Sequence, residues 1–420
     1  MILENIMFFN ILWIINIVVV SLFSICYFNQ LFHLVLSIFI KAKEYKDTNE
    51  EKRYGFLIAA RNEEDVIGSI IDSIKMQNYN QDLVHIFVVA DNCTDNTARV
   101  AREKGAIVFE RFDNTKIGKS YALEYAFKEI FTRFSDLNID AFFIFDADNL
   151  LDKDYIKEMN KAFLEGNEII TSLRLPKNFS SSSFAASSAY MFLRECRQVH
   201  HVRSRLNIGT YVSGTGYLIS SKVIRELNYW PFHTLVEDVE LSANMAKNNK
   251  KIAYVSKAKF YDEQPTSLKA YWMQRIRWCK GNHQVFAREG AGLFKGMFKK
   301  NFFTKWGMFV HTMPLPAICF MWFILYLVIG FLYFIISKTS FDIYYNECLI
   351  NCIKNLVYPL PMALLIGFVV MIESWKLIDA KGYKKILYLF MFPFAMYLFL
   401  PITVISLFVR VRWKPTRQIK

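Results

Sequence analysis

Hydrophobic and polar positions divide this chain into three kinds of segment. Residues 8–40 are apolar almost throughout, broken mainly by Asn10, Asn16, Asn29, Gln30 and His33, and no charge falls between Glu4 and Lys41. That length suits one membrane span of about 20 residues plus an apolar extension in the interface. A secretory signal fits poorly: no basic stretch precedes the run, the run is too long, and no small-residue cleavage site follows. Lys41, Lys43, Lys46, Lys52 and Arg53 come next. They place this flank on the cytoplasmic side.

From about residue 53 to 288 the period changes. Short β-rich runs are expected as strands over 56–60, 85–90, 107–110, 141–145, 168–173, 216–219 and 252–255. Helical patterns over 64–76, 96–104, 119–131 and 153–164 lie between the earlier ones, with Asp95 positioned to cap the second. This alternation predicts an α/β domain, a mostly parallel sheet with helices on both faces. Over 286–305 phenylalanines mix with Lys295, Lys299, Lys300 and Lys305, the pattern of an amphipathic helix in a membrane interface or packed on the soluble domain. Three long apolar runs follow, 308–336, 356–372 and 386–409. Their prolines are tolerated in membrane helices.

The expected organisation is therefore a transmembrane segment over 1–40, a cytosolic domain over 41–285, an interfacial helix over 286–305, a region of about three spans over 306–410, and a basic tail over 411–420. The tail conflicts with that count. Three spans after a cytoplasmic domain leave the C-terminus outside, whereas Arg410, Arg412, Lys414, Arg417 and Lys420 favour the inside. One of the three runs would then be re-entrant or interfacial, and the sequence does not say which.

Composition agrees with a charged domain joined to membrane segments. Hydrophobic residues make up 53% of the chain, yet its net charge is +13, which argues against disorder, a coiled coil or a collagen-like chain. The seven cysteines are scattered and show no zinc spacing, so a reduced, cytosolic setting is expected. The lysines gather at membrane flanks instead of along one soluble face, a poor use of charge for binding nucleic acid.

Candidate chemistry sits at strand ends, where an open α/β sheet places its ligand. Ala60 and Glu63 follow the first strand, and Asp91 the second. Either loop alone also reads as a capped turn. Asp146 and Asp148 close a very apolar strand. Two such carboxylates repel unless neutralised, and a hard divalent cation with phosphate oxygens would do so. By itself this DxD is a weak signal. Glu237 and Asp238 offer a carboxylate base. Gln274, Arg277 and Trp278 offer a diphosphate partner and a stacking ring, although QRIRW alone also reads as a basic interfacial helix.

In order and spacing these groups resemble the membrane-embedded family-2 glycosyltransferases, which include cellulose, hyaluronan, chitin and poly-N-acetylglucosamine synthases. The resemblance covers about residues 53–290 in detail. It implies a GT-A-type nucleotide-sugar domain in which Ala60 and Glu63 line the base, Asp91 contacts uracil and Lys119 lies near the diphosphate. It further implies that Asp146 and Asp148 form the DxD pair with Asp148 on Mg2+ or Mn2+, that Asp238 beside Glu237 is the general base, and that Gln274, Arg277 and Trp278 form QxxRW. Gly214, Thr215 and Gly216 resemble the small-residue loop beside the acceptor. Val236 replaces the common threonine before Glu237-Asp238.

The implied activity is inverting transfer from a UDP-sugar, glucose ahead of N-acetylglucosamine, onto a growing β-linked polysaccharide that is passed across the membrane. Single addition to a lipid, as in ceramide glucosyltransferases, is the alternative. A non-catalytic receptor or transporter is the reading from another class, disfavoured by the absence of charge inside the apolar runs. The resemblance names no partner subunit. His200 and His201 are expected on a solvated or interfacial basic helix, facing different sides. Cys93 and Cys279 are expected to be bystanders, and Gly118-Lys119-Ser120 lacks the upstream glycine of an ATP-binding loop.

Overall fold

In a computed structural model, which describes residues 2–411, all seven expected strands are found, together with a short eighth. The chain runs α1 (Ile2–Phe39), β1 (Tyr54–Ala60), α2 (Ile67–Lys75), β2 (Val84–Asp91), α3 (Thr97–Glu103), β3 (Ile107–Arg111), α4 (Lys119–Arg133), β4 (Ala141–Asp146), β5 (Leu150–Leu151) and α5 (Tyr155–Leu164). It continues with β6 (Ile169–Pro176), α6 (Ser183–Arg194), a π-helical turn (Glu195–His200), α7 (His201–Arg205), β7 (Tyr217–Ser220), α8 (Ser221–Glu226), α9 (Glu237–Lys247), β8 (Ala253–Asp262), α10 (Leu268–Met297) and α11 (Phe302–Thr312). The C-terminal part holds α12 (Leu315–Ile336), α13 (Phe341–Tyr344), α14 (Ile350–Val357), α15 (Pro359–Glu373), α16 (Gly382–Leu389) and α17 (Met391–Phe408).

One mixed sheet has the order β3-β2-β1-β4-β7-β6-β8-β5. β1 pairs in parallel with β2 and β4, β2 with β3, and β6 with β8; β7 runs antiparallel to β4 and β6. Alternate side chains feed two cores, as a strand's two-residue period requires. Phe56, Ile58, Phe143 and Phe145 pack with Ile70, Ile74 and Met159 of α2 and α5. Leu57, Phe142 and Ile144 pack with Leu123, Phe127 and Leu241 of α4 and α9. This is the expected α/β architecture with helices on both faces. Because β1, β2 and β4 are parallel and in register, with Ala59 opposite both Val89 and Asp146, their C-terminal loops meet at one edge.

Among the described residues, four helical stretches are long and apolar enough to cross a membrane: Leu3–Phe39, Leu315–Ile336, Phe341–Glu373 and Gly382–Phe408. One asparagine of the first apolar run has a structural use. Asn16 Oδ1 accepts from Trp322 Nε1 at 3.4 Å and Asn355 Nδ2 at 3.3 Å, tying α1 to two later helices.

Two expectations change. The 286–305 segment is not one helix: α10 continues unbroken to Met297, and α11 restarts after Asn301 turns at φ 57°. Phe294, Phe298, Phe302 and Phe303 remain exposed, but Lys305 is buried, its Nζ donating to Gly296 O and Asn249 Oδ1. Helix packing across the turn, which local periodicity does not encode, decides this. The last apolar run also behaves unlike the others. α17 lies along α10: Tyr271 Oη donates to Ala395 O at 3.0 Å near its start and Lys280 Nζ to Leu407 O at 3.1 Å near its end. Of the expected basic tail, Arg412, Lys414, Arg417 and Lys420 lie outside the described residues.

Candidate active site

The loops after β1 and β2 are stitched together. Asn62 takes φ 57°, and its Oδ1 accepts from Thr94 N at 2.8 Å. Glu63 N donates to Thr97 Oγ1 at 2.8 Å, and Asp95 Oδ1 accepts from Thr97 N at 3.0 Å in the turn before α3, whose N-cap is Asn96 and not the expected Asp95. Asp91 is buried at the end of β2 and receives Arg111 Nη1 at 2.5 Å from the adjacent strand. Burial raises the Glu63 carboxyl to about 7, helped by the charges of Asp146 and Asp95.

Lys119 opens α4, and its Nζ donates to Asp146 Oδ1 at 2.5 Å and Gly214 O at 2.7 Å. Burial disfavours the ammonium, but Asp146 and Glu237 outweigh it and hold its pKa above the usual lysine value. Asp146 N in turn donates to Thr215 Oγ1 at 2.9 Å. Burial lifts the Asp148 carboxyl well above the carboxylate range, with Asp262, Asp146 and Glu63 adding to it. Buried Asn149 links these acids, donating to Asp148 Oδ1 at 3.1 Å and Asp262 Oδ1 at 2.8 Å. Arg174 Nε donates to Asp262 Oδ2 at 2.8 Å. Among the described residues no three His, Cys, Asp or Glu side chains converge to hold an ion unaided. The crowded acids around Asp148 therefore fit a divalent cation that takes its remaining ligands from a diphosphate and water.

Glu237 and Asp238 begin α9. An ideal Cβ on Gly214, whose φ is +78°, would lie 3.8 Å from Asp238 Oδ2. Burial raises both carboxyls, and Lys119 and Arg277 pull them back. α10 closes this side. Arg277 Nη1 donates to Leu235 O at 3.0 Å. A Cβ on Gly281 would strike Val236 at 2.6 Å, so the isopropyl group that replaces the common threonine is part of the α9–α10 contact. Fully buried Arg275 stacks on the Trp278 ring at 4.1 Å and donates to Gln274 Oε1 at 2.9 Å, holding both neighbours in place.

One cavity of about 570 Å3 collects Ala60, Glu63, Asp91, Lys119, Asp146, Asp148, Gly214, Glu237, Asp238, Gln274, Arg277 and Trp278. Thr215 and Gly216 are not in its wall. Thr215 backs Asp146, and Gly216, at φ +69°, lies under Phe260, which a Cβ would reach at 2.1 Å. They shape the site from behind, a difference from the acceptor-side position that the resemblance implies.

Sequence reading missed Asn149, Arg174 and Asp262. Asp262 ends β8, so the strand-end rule would have found it had the strand not been expected to stop at 255. His200 and His201 are buried, which overturns the solvated reading. They do face different sides: His200 Nε2 meets Glu195 Oε1 at 3.1 Å and His201 Nε2 meets Ile40 O at 2.7 Å. Burial raises both the Cys93 and Cys279 thiols, in keeping with bystanders.

Residues 52–281, more than half of the chain, match the sequence family described as "Glycosyltransferase like family 2". Over 324 residues the chain is 25% identical to the "Probable glycosyltransferase YdaM" of Bacillus subtilis (strain 168), covering 73% of this chain and 75% of that protein. It is 25% identical over 281 residues to the "Poly-beta-1,6-N-acetyl-D-glucosamine synthase" of Staphylococcus aureus (strain MSSA476), spanning 64% of the length of each. The solved structure of the mannosyltransferase PcManGT from Pyrobaculum calidifontis, in complex with GDP-Man and Mn2+, shares the fold with a TM-score of 0.55 at 14% identity, over 94% of this chain and 99% of that one.

Proposed function

We propose that this chain, which belongs to the family-2 glycosyltransferases and is a hexosyltransferase, extends a β-linked polysaccharide from a UDP-sugar with inversion and passes the product across a membrane. The observation that carries the reading is the single cavity in which Asp238, the Lys119–Asp146 pair and Arg277 face one another. Asp91 and Glu63 bind the nucleoside end. A divalent cation held by Asp148, with Asp146 beside it, supplies positive charge to the diphosphate when bound. Lys119 and Arg277 balance the negative charge that builds on the leaving UDP.

Asp238 takes the proton of the acceptor hydroxyl. That oxygen bonds to the anomeric carbon from the face opposite the diphosphate, and the bond from carbon to the diphosphate oxygen breaks. Gln274 and Trp278, locked by Arg275, orient the acceptor, so much of the rate comes from positioning.

The basic flank after α1 supports a cytoplasmic position for the domain. The contact of α17 with α10 at both ends supports α17 as the interfacial element. With spans at α1, α12 and Phe341–Glu373, the basic tail then stays with the catalytic domain. For the donor, the family resemblance puts glucose first, whereas similarity to the staphylococcal poly-beta-1,6-N-acetyl-D-glucosamine synthase favours N-acetylglucosamine.

The test is incubation of membranes with a panel of UDP-sugars and Mn2+ or Mg2+, chromatography of the product, and digestion with linkage-specific glycosidases. A β-linked polymer retained at the origin is expected. A discrete glycolipid would replace processive extension by single addition, and no turnover of any UDP-sugar would refute the donor assignment.

A further inference from the structure

The cavity continues past the Ser213–Gly214 turn to a cationic wall that the transfer step does not use. Gln30 and His33 of α1, Arg194, Arg203 and His311 line it there, with Glu195. Arg194 Nη2 donates to Gln30 Oε1. Arg203, almost wholly buried, donates Nε to Gly209 O at 3.0 Å and turns Nη1 over Gly307, in the space that a Cβ would fill. Among the described residues neither guanidinium forms an ion pair with a carboxylate. Glu195 is the nearest acid to Arg194 in sequence, and it is already engaged by His200 Nε2 at 3.1 Å and by the Ser213 hydroxyl.

Arg203 is buried and Arg194 half-buried, and holding such cations away from water is costly; the nearby Glu195 charge offsets part of this for Arg194, yet burial still draws both guanidinium pKa values below the usual arginine range. An anion in the cavity would relieve that cost. The wall is also membrane-like: Tyr27, Met313, Pro316 and Phe399 of the apolar helical region line the same space. Ser213 connects the two ends, because the residue after it, Gly214, lies against Asp238.

We propose that this wall binds the phosphate of an anionic membrane lipid, and that a hydroxyl on the same head group accepts the first sugar. The step balances as before: the hydroxyl oxygen bonds to the anomeric carbon, its proton goes to Asp238, and UDP leaves with the bonding pair. The acceptor role rests on the glycosyl-transfer reading above; the phosphate site does not.

Full-length protein in neutral detergent is titrated with phosphatidylglycerol and, separately, with monoglucosyl diacylglycerol, which lacks phosphate. Retained lipid is read by native mass spectrometry, and UDP binding by calorimetry. Phosphatidylglycerol should be retained at least about tenfold better, and Arg194→Gln should remove most of that preference while UDP binds as before. Arg203→Gln also loses the bond to Gly209, so Arg203→Lys, which keeps the charge, serves as its control and should retain the lipid. Labelled sugar from the UDP-donor should then be recovered in covalent linkage to phosphatidylglycerol, at the reducing end of the product.

Equal retention of the two lipids, or unchanged retention in Arg194→Gln, overturns the site. Displacement of the lipid by millimolar inorganic phosphate assigns the wall to free phosphate and overturns the lipid. Retention without labelling overturns the acceptor role. Failure of UDP to bind the parent protein would sink the glycosyl-transfer reading while leaving the retention result intact.

Discussion

Arg174→Met removes the one arginine that bonds Asp262 behind the DxD pair. In the parent, the Arg174 guanidinium lies 3.6 Å from the Phe192 ring centre, donates Nε to Asp262 Oδ2 at 2.8 Å and Nη1 to Ser213 O at 3.1 Å, and Asp262 is only 3% exposed. Removing one partner of such a buried pair costs roughly 3–5 kcal/mol. Asp262 keeps two donors, Asn149 Nδ2 at 2.8 Å and Gln264 Nε2 at 2.6 Å, so the lower end, about 3 kcal/mol, is expected. At roughly 2–4 °C per kcal/mol for a domain of this size, the melting temperature should fall by about 6–12 °C.

The assay is thermal melting of the detergent-purified protein at one fixed scan rate, because unfolding of such proteins is commonly irreversible. Arg174→Met/Asp262→Asn should recover a large part of the loss, since the uncompensated charge goes with the second change. Asn149 joins Asp262 to Asp148, so the single variant should bind Mn2+ more weakly as well. A melt within about 2 °C of the parent, or a double variant no better than the single, would refute the reasoning.

Asp238→Asn should lower kcat by about 10²–10⁴ while UDP binding by calorimetry is unchanged; full activity in washed membranes would remove Asp238 as the base. Glu63 has a folded pKa of about 7, above its ordinary 4.5, so its contribution to stability is present below the ordinary value and lost as pH rises through about 7. Glu63→Gln should therefore flatten the dependence of melting temperature on pH across that window, and an unchanged slope would show that Glu63 is not its source. Gly216→Ala places a Cβ 2.1 Å from the Phe260 ring at φ +69°, and should cost roughly 2–5 kcal/mol from backbone strain and overpacking together, read as a lowered melting temperature with Asp238 chemistry otherwise intact.

What the sequence determined by itself is local and periodic. The short, continuously apolar β-rich runs of 56–60 and 141–145 place β1 and β4 as strands buried on both faces, and the polar residues that follow fall at strand ends because a chain leaving a buried strand must satisfy its backbone there. The nearly continuous, charge-free apolarity of 8–40 likewise predicts α1 without any partner in view. Tertiary structure decided everything that depends on which distant segments meet. Lys119 finds the Gly214 carbonyl, Arg277 the Leu235 carbonyl, and Arg174 the Asp262 carboxylate, contacts between residues far apart in sequence that no local pattern announces. The histidines at 200 and 201 look solvated in sequence because their neighbours are basic, yet a π-helical turn packed beside α1 buries both. The last apolar run reads like any span until α10 is seen beneath it. Periodicity reports which face of an element is apolar; burial and charge compensation are set by what that face is packed against.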